Sequence, residues 1–321
     1  MIPLNYEQAR GFLAKNAIDG CSIKQIAGDA SFRSYYRIFC QDGNRVLMFA
    51  PPEYEDTRSF VKIDEFLVAH GFSAPKIFAA DENLGFLLLE DFDDDTYGRV
   101  LAKDNSSEFP LYQNACDVLL ALHKLPIPAG VANYNNALLF REVMLLVDWY
   151  LALEKKSMSL EEKAEFKFLW FQLFDLLDHE NQVLVLRDYH ADNLMIVKER
   201  VGIVAVGLLD FQDAVIGSKA YDLVSLLEDA RRDVDKNNRE KLLQYYLKNS
   251  GCDANSFIQD YEILSLQRNI KILGIFSRLS LRDGKHDYLN MIPRVLGFAN
   301  SRLESENVIF SDIKKLLKKF L

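Results

Sequence analysis

The sequence predicts an α+β chain in two lobes, a small antiparallel-sheet lobe over residues 1–90 and a larger, mainly helical lobe over residues 91–321. Three observations carry this expectation. Up to Glu90, apolar and polar residues alternate in short runs separated by turn residues, the period of half-buried strands. Beyond the acidic run "EDFDDDTYG", apolar residues recur every three to four positions over long stretches, the period of amphipathic helices. Three short β-like runs, "QVLVL", "NLMIV" and "GIVAVGLL", interrupt those helices.

The elements follow in order. "CSIKQIA" and "SYYRIFCQ" alternate, and "RVLMFA" follows the turn signal "DGN". "DTRSFVKIDEFLVAHG" puts Phe60, Ile63, Phe66 and Leu67 at helical spacing and stops at Gly71. "PKIFAAD" and "LGFLLLED" read as two further strands. In the second lobe, "LYQNACDVLLALHKL" ends before Pro126. "REVMLLVDWYLALEKK" and "LEEKAEFKFLWFQLFDLLDHE" follow, the latter with Ser159 as its N-cap. Helices resume at Tyr221 and run to the end. A hinge is expected near Glu90 to Phe92, with the main cleft between the lobes. The carboxylates of Asp91, Asp93, Asp94 and Asp95 do not read as a calcium loop. The sixth position is Thr96 in place of Gly and the twelfth carries no Glu, so the run reads as a solvated hinge.

Bulk properties narrow the function classes. The chain has 321 residues, of which 49% are hydrophobic and 26% charged, as in an ordinary globular protein. A net charge of −9 argues against a nucleic-acid partner, because phosphate backbones are held by clustered Lys and Arg. The N-terminus has no apolar signal core, and the nine-residue run "VGIVAVGLL" is too short to span a membrane. Cys21, Cys40, Cys116 and Cys252 are scattered without a CxxC pair and read as reduced thiols. A cytoplasmic protein with no membrane partner is expected; oligomeric state is not legible.

The stretch "LVLRDYHADNLMIV" gathers Asp188, His190, Asp192 and Asn193 between two apolar runs. Turn chemistry alone puts Asp and Asn in loops. Their setting is more specific: Asp188 and Asn193 are spaced D-x-x-x-x-N, and a further apolar run ends at Asp210 in "GLLDFQD". Phosphoryl transfer from ATP needs a carboxylate to orient an acceptor hydroxyl and take its proton, and oxygen ligands to hold magnesium. Asp188 suits the first task, Asn193 and Asp210 the second.

"LRDYHADNL" followed by "LLDFQDAVIGSKAYDLVSLL" resembles the aminoglycoside phosphotransferase family, small-molecule kinases of protein-kinase-like fold. That family's loop reads approximately H-G-D-x-H-x-x-N. The resemblance implies that Asp188 is the catalytic base, that His190 shapes its loop, and that Asn193 and Asp210 bind Mg2+. Asp222 matches an aspartate usually considered structural, and Arg187 stands where most of the family has Gly. "GDASFRSYYRI" falls where the family has its phosphate loop, so Ser31 and Arg33 are candidate phosphate contacts. "LLLEDF" resembles the adenine hinge, which makes Glu90 and Phe92 nucleotide neighbours. One departure is plain: the third strand carries Met48 where kinases place a Lys, and Arg33 or Arg37 would have to supply the charge.

"LQRNIKILGIFSRLSLRDGKHDYLNMIPRVL", "APPE" and "GDASFRSYYR" resemble the bacterial anomeric N-acetylmuramate/N-acetylglucosamine kinases of that family, which act in peptidoglycan recycling. The implied acceptor is an amino sugar phosphorylated at its anomeric hydroxyl. Six cations between 268 and 294 against Asp283 and Asp287 favour an anionic or neutral acceptor over a polycation, though surface charge beside an apolar helix face would look the same. Arg268 and Lys271 share a helical face and are candidate acceptor contacts. So are Asp148 and Trp149, an acid beside a ring; a core role for Trp149 is the alternative. A kinase for an aminoglycoside, choline or homoserine stays open, as does a nucleotide-binding pseudokinase.

Overall fold

The computed structural model describes residues 4–26, 32–41 and 43–321. In chain order the elements are α1 (Tyr6–Lys15), β1 (Ser22–Gln25), β2 (Ser34–Phe39), β3 (Arg45–Phe49), α2 (Thr57–Ala69), β4 (Ile77–Asp81), β5 (Phe86–Glu90), α3 (Tyr97–Lys103), α4 (Glu108–Leu122) and α5 (Asn136–Leu145). A π-helical turn at Leu146–Tyr150 leads into α6 (Leu151–Leu153), then α7 (Leu160–Phe174), β6 (Val183–Val185), β7 (Leu194–Ile196), β8 (Val206–Leu208) and β9 (Val215–Gly217). The chain closes with α8 (Ala220–Leu227), α9 (Lys236–Ser250), α10 (Ala254–Asp283), α11 (Ile292–Leu303) and α12 (Ser311–Leu317).

Two compact units divide this chain, Met1–Asn105 with Ala191–Asp213 and Ser106–His190 with Ala214–Leu321. The boundary expected after Glu90 falls inside the first unit. Backbone pairing explains this: Ile196 N–H bonds to Asp95 O at 2.9 Å and Leu208 N–H to Ser73 O at 2.8 Å, so β7 and β8 return to the unit that begins the chain.

In the first unit, β1–β2–β3–β5–β4 form one antiparallel sheet. The strand period sorts its faces. Tyr36, Ile38, Leu47, Phe49, Phe86 and Leu88 bury one face against Phe12 and Leu13 of α1. The opposite face presents Arg37, Val46 and Leu89, directly cross-strand from one another. Helix α1 has no counterpart in the sequence reading, because its apolar stripe is only Ala9, Phe12 and Leu13; the Asn5 side chain caps it by accepting from Glu7 and Gln8 N–H. The reading of four reduced thiols holds for Cys116 and Cys252 and is overturned for the other two. Antiparallel register sets Ser22 opposite Phe39, which brings the flanking Cys21 and Cys40 to 5.1 Å between Cα atoms, and they form a disulfide. The run "GIVAVGLL" is also not one strand: Gly202 at φ +65° opens a 310 turn over Gly202–Ala205, and only Val206–Leu208 pair.

In the second unit, the thirty-residue α10 starts at the Asp253 cap and stops at Gly284 in the left-handed region. It packs against α5, α8 and α11. Gly274 permits a close approach, since a Cβ there would collide with the Leu145 backbone. Helix α7 begins as expected at Ser159, whose hydroxyl accepts from Glu162 N–H while Glu162 returns a bond to Ser159 N–H. Among the described residues, no helix is long and apolar enough to cross a membrane.

Candidate active site

A cleft of about 460 Å³ opens in the first unit, in the range of small-molecule sites. Its apolar wall includes Ile26, Val46, Leu89, Met195 and Leu209, and Asn193 and Asp210 stand on its polar part. β7 and β8 place those two residues. Their register is Leu194 to Leu208, so Asn193 and Asp210 flank the paired segment, and Leu209 N–H donates to Asn193 O at 3.0 Å. Gly207 has a local reason: a Cβ there would sit 2.8 Å from the Phe92 ring and 2.9 Å from Met195.

The Asn193 amide lies 3.5 Å from Asp210 Oδ2, and Gln212 Nε2 donates to Asp210 Oδ1 at 2.8 Å. Asp210 holds φ +59°, a conformation that costs a non-glycine residue about 1 kcal/mol or more and persists where surroundings enforce it. The next residue, Phe211, is fully buried and packs with its ring tilted by 30° at 4.9 Å from that of Phe60 of α2. The donor set is one carboxylate and one amide oxygen. No group of three His, Cys, Asp or Glu suited to a metal exists among the described residues. Two hard oxygens without a closed cage fit magnesium, which keeps waters and phosphate oxygens as its remaining ligands.

Glu90 and Phe92 both line the cleft, at the end of β5. Glu90 is ion-paired with Arg200, and Phe92 packs on Met195 and Val197. The acidic run is solvated only in part: the Asp91 side chain is buried, whereas Asp93 and Asp94 stay exposed. Asp91 grips Arg37 through two bonds of 2.6 and 3.0 Å, Asp94 adds another at 2.9 Å, and Lys198 pairs with Asp95 at 3.3 Å. Hydrogen bonding to Asp94, opposed by burial, raises the Arg37 guanidinium above its ordinary value. Arg33 is elsewhere: its Nη1 is 3.7 Å from Asp210 Oδ1 and its Nε 3.3 Å from Glu55. Ser31 lies outside the described residues.

The second unit carries Asp188 and His190; the division of the chain falls between His190 and Ala191. After β6 the loop is pinned residue by residue. Asp222 accepts from Leu186 N–H at 2.7 Å and Arg187 N–H at 2.8 Å, and the Tyr189 hydroxyl donates to Ala115 O at 2.9 Å. Burial pushes the Asp222 carboxyl up to about 7, against the pull of those two donors and Arg268. Arg231 Nη1 lies 3.0 Å from His190 Nε2. A guanidinium can only donate, so Nε2 accepts and the ring is neutral. Burial, then Arg231 and Arg268, hold this imidazole well below its ordinary value. Asp188 is the half-exposed acid of the loop.

Arg187, standing where the resembled pattern has Gly, adopts φ +71°. This explains the glycine preference of that pattern. The arginine is held by an ion pair to Glu142 and lies 5.5 Å over the Tyr134 ring. Glu142 also accepts from Tyr134, from Gln267 Nε2 at 3.1 Å and from Lys271 Nζ at 3.1 Å. Burial would raise Glu142, but Lys271 and Arg187 bring it below its ordinary value. Sequence reasoning missed Glu142; its signal was an acid three and four positions after Leu139 and Leu138 and beside Val143 on one helix.

Arg268 and Lys271 do share a face of α10, and it is an interior one. Arg268 donates to Ser225 Oγ at 2.8 Å, while Lys271 is committed to Glu142 and Tyr221. The cation excess expected over 268–294 is largely compensated, since Arg282 pairs with Asp283 at 2.7 Å and Arg294 with Asp233 at 2.6 Å. Asp148 is exposed and Trp149 half-buried, on the π-helical turn.

Residues 22–261 match the phosphotransferase enzyme family. The chain is 33% identical to a Caulobacter vibrioides protein named N-acetylmuramate/N-acetylglucosamine kinase, with 88% of each chain covered. It is 36% identical to a Pseudomonas aeruginosa protein of the same name, covering 84% of this chain and 80% of that one. A solved choline/ethanolamine kinase family protein from Mesorhizobium loti superposes with TM-score 0.65 over 98% of this chain and 100% of its own, at 14% identity. That likeness concerns the fold, a kinase-like one.

Proposed function

The chain belongs to the phosphotransferase enzyme family, and on that premise we propose that it transfers the γ-phosphoryl group of ATP to the anomeric hydroxyl of N-acetylmuramate or N-acetylglucosamine. One observation carries the chemistry: Asn193 and Asp210 converge at the polar part of a nucleotide-sized cleft, and Asp188 precedes Asn193 by five positions. The names of the Caulobacter and Pseudomonas relatives support the acceptor. A place in peptidoglycan recycling and a cytoplasmic setting belong to the same proposal.

In this reading Asp188 orients the anomeric hydroxyl and takes its proton. The sugar oxygen bonds to the γ-phosphorus as the bond to the β–γ bridging oxygen breaks, and ADP departs. Asn193 and Asp210 would hold magnesium, which supplies neutralisation of phosphate charge. The hinge backbone around Glu90 and Phe92 faces the adenine, and Arg33 faces the phosphates, with Ser31 a further phosphate contact. His190, neutral and tied to Arg231, keeps the loop in shape. Asp148 and Trp149 are proposed to meet the sugar. Arg268 and Lys271, proposed as acceptor contacts from their shared face, would act from the interior of the unit.

The test is incubation with ATP, Mg2+ and each amino sugar, following ADP release and product by mass spectrometry and phosphorus NMR. A C1 phosphate from the wild type, reduced at least a thousandfold in Asp188→Asn, is expected. Preferred turnover of choline, homoserine or an aminoglycoside would refute the acceptor assignment. Met48 favours one other reading, a pseudokinase, for which nucleotide would bind without product from any acceptor.

A further inference from the structure

Met48 is fully buried on β3, on the same face as the cleft-lining Val46, and leaves that strand without the cation that ordinarily orients ATP phosphates. Helix α2 meanwhile buries Asp64, whose Oδ1 has no hydrogen-bond partner among the described residues. An acid of the kind that pairs such a lysine is therefore present without one.

Three other cations of the unit are committed away from the metal-binding side chains. Arg37 is clamped by Asp91 and Asp94, Arg200 by Glu90, and Arg45 lies 4.3 Å over the Phe78 ring. Arg33 differs. Its guanidinium, largely buried, reaches to 3.7 Å from Asp210 Oδ1. Two adjacent cross-links aim it there: Phe32 stacks on Tyr54 with centroids 4.6 Å apart, and Arg33 Nε pairs with Glu55 at 3.3 Å. The turn carrying Tyr54 and Glu55 is itself fixed, since both their N–H groups donate to Pro51 O at 2.9 Å.

We propose that Arg33 is the phosphate-orienting cation in place of a third-strand lysine, and that Glu55 is the positioning residue that aims it. This rests on the kinase reading above. Two oxygens that share one magnesium lie roughly 3 Å apart, so a guanidinium beside Asp210 is within reach of a phosphate bound to the same ion. A planar fork can also grip two phosphate oxygens at once, which an ammonium cannot.

The experiment is calorimetric titration of the full chain with Mg·ADP, a Mg·ATP analogue that does not transfer phosphate, and adenosine. Arg33→Ala should weaken the triphosphate analogue roughly ten- to hundredfold, the scale of a charge-assisted contact, while adenosine affinity stays unchanged. Glu55→Gln should raise KM for ATP without changing KM for the sugar, and Glu55→Asp should recover part of the loss. Wild-type triphosphate affinity in Arg33→Ala, or an equal loss of adenosine, would overturn the assignment. A wild-type protein that binds none of the three would instead overturn the kinase reading beneath it, and the assignment with it.

Discussion

Glu142→Gln tests the energetics of the loop that carries Asp188. The substitution keeps the shape of the side chain and removes its charge, leaving Arg187 and Lys271 with side chains only 18% and 10% exposed and no carboxylate between them. Removing one partner of a buried pair costs about 3–5 kcal/mol, because the remaining charge is stranded in the interior. The glutamine oxygen still accepts one bond, which places the expected loss near the lower figure, about 3 kcal/mol. At about 2–4 °C per kcal/mol for units of this size, melting should fall by roughly 6–12 °C. Urea unfolding followed by tryptophan fluorescence is a suitable assay, as both tryptophans, Trp149 and Trp170, lie in the same unit as Glu142. Because the Glu142 carboxyl is held below its ordinary value of 4.5, its stabilisation is complete above that pH and is lost as pH falls through the folded value. The gap between wild type and variant should therefore close in acid. A second substitution, Lys271→Met, should recover part of the loss by restoring charge balance. A loss below about 1 kcal/mol at neutral pH, or a double variant weaker than the single one, would refute the reasoning.

Asp64→Asn should act in the opposite sense. Burial pushes the Asp64 carboxyl up to about 7, so the protonated form stabilises the fold at low pH and that contribution is lost as pH rises through about 7. At pH 8 the asparagine variant should be the more stable by about 2 kcal/mol, and by pH 4 the two should melt together; a less stable variant at pH 8 would contradict this. Gly274→Ala should lose about 1–3 kcal/mol through collision with the Leu145 backbone, read as a lowered urea midpoint, and a neutral effect would show that α10 and the π-helical turn separate easily.

Much of the fold was legible because it follows local periodicity. The sheet strands alternate, α7 announces itself through Ser159 and Glu162, and α2 carries its stripe at three- and four-residue spacing. What escaped lacked such a signal. Helix α1 buries only three side chains, and β9 is three residues long. Within the candidate site, Asn193 and Asp210 could be read from spacing, since both border one short strand pair. The Arg33–Glu55 contact could not, because it depends on the turn at Pro51 bringing back a residue 22 positions away. Nor could the placement of Lys271: a lysine on an amphipathic helix looks identical whether it faces solvent or, as here, a glutamate on another helix. The Cys21–Cys40 bridge was lost for a related reason, since register and not cysteine spacing brings the two thiols together.

The return of residues 191–213 to the first unit has a consequence for synthesis on the ribosome. The five-stranded sheet is translated by residue 90, yet the cleft wall still lacks Met195 and Leu209, and its polar part still lacks Asn193 and Asp210. The 85 residues 106–190 of the other unit must emerge first, at about 5–20 residues per second, so the nascent sheet waits at least several seconds with one side of its cleft unbuilt. Nucleotide can therefore stabilise only chains that have passed residue 210. A stalled or truncated product ending before that point would keep its sheet sequence intact and gain no protection from the ligand.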